Sequence, residues 1–254
     1  MVDCAFEEWT QYRGTTIRRL ADRSAYLYVT ARKSVDADGA PNAYHPDDVN
    51  GGACPDSGRG LECPANAGYR SNDGVGNASW WRSVLVPDPD DPDVAYRQSS
   101  GPTAGYFVSQ TALRRLSPAG PLSPRSYVDA ATIPYVVMPG DFYAMPGTGR
   151  MGDVGYALNL ANDISTPFVF ADVGPDDAYL GEASIAFWQA LGGNNPNPRN
   201  GAGVPGGMIA YVVFPRSSSQ IDLGWPIVLQ RLRQAVAERL DRVGGEAAIR
   251  ACVG

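Results

Sequence analysis

One histidine, His45, stands in the 254 residues. A Ser-His-Asp or Cys-His site would have to be built around it. It lies in Asn42-Ala43-Tyr44-His45-Pro46, beside a proline-rich stretch, and a structural hydrogen bond is its expected role. No GxSxG elbow is present, so an α/β-hydrolase nucleophile has no place. The glycine-rich segment 201–207 lacks the Lys-Ser/Thr of a phosphate loop, which argues against nucleotide chemistry. There is no CxxC and no Cys/His ligand spacing, so neither a metal nor any other cofactor is expected. Excess positive charge is missing too: the net charge is −6. Phosphate backbones require a basic surface, so no nucleic-acid partner is expected. No apolar run approaches the roughly 20 residues of a membrane-spanning helix, so no membrane partner is expected. The opening MVDCAFEEWTQYR has no apolar h-region. The expectation is a mature chain or export by another route.

What the sequence has in excess is glycine, 29 residues, and proline, 21. They suit many turns around short strands. Four cysteines allow three pairings. Cys54 and Cys63 bracket CPDSGRGLEC and read as a local staple, while Cys4 and Cys252 sit at the two chain ends, which often lie close together. An even count without metal spacing points to disulfides and an oxidising, secreted setting.

Short apolar runs bounded by turn residues predict strands at 26–31, 105–109, 133–139, 154–160, 168–172 and 207–215. The segment 4–22 reads as a short helix, 183–191 as a second, and about 227–243 as a third with a clear helical period. The segment 46–103 is loop-rich, and Val86–Asp93 is an extended acidic loop in which proline forbids helix. The pattern favours a mainly β barrel or sandwich with few helices, in one domain spanning 1–254. Asp36-Ala37-Asp38-Gly39 reads as a turn; as a calcium loop it lacks the Glu required at the twelfth position.

Carboxylates are the chemistry that remains. Glycosidic hydrolysis needs only two, one acid and one base or nucleophile. Asp172 ends an apolar strand, and Glu182 follows a loop and opens a helix. A helix start favours the anion, so Glu182 can donate a proton only if its surroundings raise its pKa. Spacing alone equally allows both residues to be caps.

Several segments together resemble the chitosanases of glycoside hydrolase family 75: DADGAPNAYHP (36–46), NAGY (66–69), GYFVSQTAL (105–113), SYVDAATIPYVVMPG (126–140), FADVGP (170–175), GEASIA (181–186), PRNGAGV (198–204), VFP (213–215) and WP (225–226). The resemblance covers about 26–226; residues 1–25 and the helix at 227–243 would pack on that core. It implies a six-stranded double-psi β-barrel-like fold, with peripheral loops and a few helices. It also implies endo-hydrolysis of the β-1,4-linked glucosamine polymer chitosan with inversion, and Asp172 and Glu182 as the catalytic pair. Asp36, Asp38 and Asp153 become candidates for attracting the cationic polymer, with turn formation as the competing role. Tyr44, Trp80 and Trp81 are candidate stacking faces for sugar rings, one tryptophan being expected in the core. A secreted monomer is expected. The alternatives are a non-catalytic polysaccharide-binding domain and a hydrolase of another glycan such as cellulose or peptidoglycan.

Overall fold

The computed structural model describes residues 3–48, 54–70, 76–116 and 120–253. The protein is mainly β. Among the described residues nine strands form one mixed sheet: β1 (Glu7–Tyr12), β2 (Thr15–Arg19), β3 (Tyr26–Thr30), β4 (Ser34–Asp36), β5 (Tyr135–Pro139), β6 (Val154–Asn159), β7 (Ser165–Gly174), β8 (Glu182–Ser184) and β9 (Ile209–Phe214). Their spatial order is β1-β2-β3-β9-β6-β7-β5-β8-β4. The pairs β4/β8 and β5/β7 are parallel, and the remainder are antiparallel.

The predicted strands at 26–31, 133–139, 154–160, 168–172 and 207–215 are β3, β5, β6, β7 and β9. They are apolar on both faces because the sheet is covered on both sides; every residue of β5, β6 and β9 is buried. The segment 105–109 is not a strand. Phe107 and Ser109 make only isolated bridges, to Arg97 and Leu85.

The N-terminal segment is a hairpin rather than a helix. Arg13 and Gly14 both take positive φ, 45° and 81°, which matches the twist of a tight hairpin turn. The β-branched Thr15, Thr16 and Ile17 then favour extended backbone. Across the hairpin, Glu7 stands opposite Arg19 and Glu8 opposite Arg18 in register; Arg19 lies over Trp9 and Arg18 donates to the Cys252 carbonyl.

Among the described residues four α-helices complete the fold: α1 (Gly140–Ala144), α2 (Ile185–Ala190), α3 (Leu229–Arg242) and α4 (Gly245–Val253). α3 occupies the predicted span and buries Leu232, Ala235 and Val236. The core between sheet and helices is aromatic. Tyr28 and Tyr211 face each other across β3/β9 with parallel rings 4.7 Å apart.

Both expected disulfides are present, Cys4–Cys252 and Cys54–Cys63. They are compatible with an extracellular protein. No helix among the described residues is long and apolar enough to cross a membrane. The Cys4–Cys252 bridge closes a loop spanning 248 residues, so it restricts the unfolded chain strongly. A Cys4→Ser/Cys252→Ser variant is expected to lose roughly 2–5 kcal/mol of stability. Differential scanning calorimetry checks this; an unchanged melting temperature would refute the role.

Candidate active site

The site is organised by the middle of β5. Val137 pairs with Asp172 of β7 on one side and with Glu182 of β8 on the other. Residues in register on neighbouring strands point to the same face. Asp172 and Glu182 therefore flank Val137 on one face, and all three line a cleft of about 560 Å³.

A bulge in β7 makes this possible. Val136 pairs with Phe170, but Val137 pairs with Asp172, so Ala171 is an extra residue. Simple alternation would put Asp172 on the same face as Phe168 and Phe170, both wholly buried in the core. The extra residue reverses the alternation and aims Asp172 into the cleft. The Ala171 carbonyl accepts from Leu113 N (2.8 Å), fixing the bulge.

Glu182 does not open a helix, as the sequence suggested. It lies in β8, and α2 starts three residues later. Ser184 caps α2, its Oγ accepting from Phe187 N at 3.1 Å. Strand pairing to β4 and β5 holds Glu182 extended, so it is not the capping residue of the helix. Gly181 brings the chain in at φ +123°, and a Cβ there would stand 2.3 Å from the Arg32 carbonyl oxygen. Gly181→Ala is expected to cost roughly 1–3 kcal/mol in backbone strain and to displace Glu182. A lowered denaturation midpoint together with lost turnover would show both; a variant as stable as the parent would sink the argument.

The two carboxyls are held differently. Asp172 is 8 % exposed, and its Oδ1 accepts from Ala112 N (3.0 Å) and Val173 N (2.8 Å). No donor among the described residues reaches the Glu182 carboxyl. Burial, then repulsion from Asp36 and Glu62, pushes the Glu182 pKa up to about 8. Burial and Asp36 also raise Asp172 well above the ordinary range, while its two backbone donors pull the other way. Donors favour the anion at Asp172, and their absence favours the proton on Glu182.

Four further acidic residues line the cleft: Asp36, Asp38, Glu62 and the exposed Asp176. Asp36 accepts from Tyr135 Oη (3.0 Å) and Asp38 N (2.8 Å). Asp38 accepts from Tyr44 Oη (2.7 Å) and Ser109 Oγ (3.1 Å). Oxygens of Asp36, Asp38 and Asp172 lie within 4.8 Å of one another. Three anions at that spacing require a proton or a cation among them. Burial raises both Asp36 and Asp38, and repulsion from Asp36 and Asp172 adds to the rise at Asp38.

Sequence reasoning missed Glu62. Its pKa is pushed up to about 7, first by burial, and Asn66 Nδ2 (2.8 Å) and Cys63 N (3.2 Å) hold it. The Cys54–Cys63 staple carries it, and a buried Arg199–Asp48 ion pair braces the same loop. Arg199 also donates to the Gly60 and Glu62 carbonyls. The only available signal was that Glu62 adjoins a stapled cysteine.

The structure brings together Asp172, Glu182, Asp36, Asp38, Tyr44 and Trp80 of the sequence-derived candidates. Trp80 is 50 % exposed and offers a flat face at the cleft. Trp81 is 1 % exposed, packed edge-on to Tyr69, and is a core residue rather than a stacking face. Asp153 is wholly buried and does not line the cleft. Its oxygens accept from Arg150 N (2.9 Å), Arg216 N (2.7 Å) and Ser218 N (2.8 Å); three backbone donors make it a loop organiser. His45 has the expected structural role, its Nδ1 accepting from Asp47 N.

No protein-family model and no curated protein matches this chain.

Proposed function

We propose that this protein is an endo-acting chitosanase, a glycoside hydrolase that cleaves β-1,4 glucosamine linkages with inversion. The observation that carries this reading is the pair Asp172 and Glu182, held on one face on either side of Val137, one with two donors and the other with none. In this mechanism Glu182 gives its proton to the glycosidic oxygen as the C1–O bond breaks. A water attacks C1 from the opposite face, and Asp172 takes the proton that the water releases. The sugar leaves with inverted configuration.

Two strand spacings separate the pair, so their Cα atoms stand roughly 9–10 Å apart. That suits the roughly 6.5–9.5 Å between carboxyls that an inverting enzyme needs to admit water. The carboxyls of Asp36, Asp38 and Glu62 are acceptors for protonated amines, and an ammonium brought beside them favours their ionised forms. Trp80 supplies an exposed ring face, whereas Tyr44, expected as a second one, is buried and presents its hydroxyl to Asp38 instead. The resemblance to family 75 motifs favours the same reading, and with it a double-psi barrel formed by part of the nine-stranded sheet.

A reducing-end assay on chitosan, partly acetylated chitin and cellulose tests the proposal, with proton NMR of the first-formed anomer. New reducing ends from chitosan with inverted anomers are expected. Activity on cellulose alone would replace the substrate, and binding to chitosan without new ends would make the protein a non-catalytic binding domain.

A further inference from the structure

A second concave region lies outside the cleft. Two adjoining hollows, about 350 and 470 Å³, share Arg23, Arg150, Pro215 and Arg216 in their walls. Arg19 completes the first, and Arg239 and Arg242 complete the second. Six arginines thus gather on one face of a chain whose net charge is −6. Among the described residues, none of the six forms an ion pair with a carboxylate. Arg19 lies over Trp9, Arg150 Nε donates to Ser218 Oγ, and Arg239 donates to the Ala235 carbonyl and Gln220. The one acidic residue in the walls, Asp22, already accepts from Ser24 N and Oγ.

Asp153 explains how the cluster is held. It grips the backbone amides of Arg150, Arg216 and Ser218 from beneath. That fixes both arginine loops and leaves the guanidinium groups of Arg150 and Arg216 outside, where both residues are exposed. A buried anion under the loops offsets part of the repulsion among the cations above it. The walls otherwise consist of Pro, Gly, Ser and Gln, with Phe214 and Val243 as the remaining apolar side chains. Among the described lining residues Phe214 is the one aromatic and it is buried; the neighbouring Trp9 ring is covered by Arg19, so no open face is left there to stack a sugar ring or a base.

We infer that this face is a second binding site, for a linear chain of phosphate groups. Guanidinium forks match tetrahedral oxyanions in bidentate geometry. Two joined hollows with arginines on the shared wall accept oxyanions in series rather than a single ion. The absence of stacking faces favours a bare phosphate chain over a glycan or a nucleic acid.

Isothermal titration of the full chain with tripolyphosphate, with a sulfated oligosaccharide of equal charge as the comparison arm, tests this. Tripolyphosphate is expected to bind at low salt and to raise the melting temperature, and to bind at least tenfold more tightly than the sulfated arm. In Arg150→Gln/Arg216→Gln, both exposed positions, binding should weaken at least tenfold with the unliganded melting temperature unchanged. Replacing Asp22, a lining residue without a cation partner, by Asn should leave binding undiminished. Absence of binding, equal binding by the double variant, or equal affinity for the sulfated arm would each overturn the inference.

Discussion

Glu182→Gln is expected to abolish turnover of chitosan and at the same time to stabilise the protein near neutral pH. The amide keeps the shape of the side chain and removes the transferable proton. General acid catalysis is worth about 10²–10⁴ in rate, and kcat should fall by at least the upper part of that range. The stability gain follows from the cleft. Glu182 lies among Asp36, Glu62 and Asp172, with no donor to compensate its charge. Near neutral pH, below its folded pKa of about 8, folding must take up a proton that the unfolded carboxylate has released, and the amide removes that cost. A gain of about 1–2 kcal/mol, a few degrees in a chain of this size, is expected. An aryl glucosaminide with an activated leaving group sharpens the test, because cleavage of its bond needs little protonation. Glu182→Gln should retain activity on it, whereas Asp172→Asn should not. An active Glu182→Gln enzyme on chitosan would remove the proposed acid role.

Thermal stability is expected to fall as pH rises from about 5 to 8. The sign follows from proton counts. The Glu182 carboxyl has its usual 4.5 in the unfolded chain and about 8 in the fold. Between those values the folded state holds the proton and the unfolded state has released it. Rising pH therefore favours unfolding through that window, and the slope flattens above about 8. Glu62 acts in the same direction between 4.5 and about 7, and Asp36, Asp38 and Asp172 are all raised as well. Asp48 opposes them at the acid end. Burial raises it, but Arg59 N, Gly60 N and Arg199 outweigh burial and hold its pKa down. Its stabilisation is lost as pH falls below the usual carboxylate range. The stability maximum should thus lie at mildly acidic pH. Calorimetry from pH 3 to 9 measures the curve, and Glu182→Gln should flatten its descending limb. A melting temperature that rises between pH 5 and 8 would contradict the cluster of protonated carboxyls.

The pH profile of activity belongs to the same groups. Loss on the alkaline side should follow Glu182 losing its proton near 8. Loss on the acid side should follow Asp172 gaining one, above the usual aspartate value of 3.8. Because the two interact, the observed limbs belong to the pair.

Amino-acid sequence alone determined the parts of this protein that depend on local pattern. The apolar runs of β3, β5, β6, β7 and β9, the period of α3 and the turn-rich belt around residues 46–103 all follow from nearest neighbours in the chain. The cysteine positions determined the two bridges nearly as directly, and the position of Asp172 at the end of an apolar run marked it for notice. Tertiary structure decided what depends on register between distant segments. The extra residue Ala171 turns Asp172 away from the core, yet nothing in FVFADVG distinguishes a bulge from plain alternation. Pairing with β4 and β5 makes Glu182 a strand residue and leaves the cap to Ser184. The same closure brings in Glu62 from the stapled loop, buries Trp81 while leaving Trp80 open, and sends Asp153 under an arginine-lined face. A carboxylate's position in the chain identifies a candidate. Its role depends on its donors and neighbouring charges, and here most of those come from strands and loops far away in sequence.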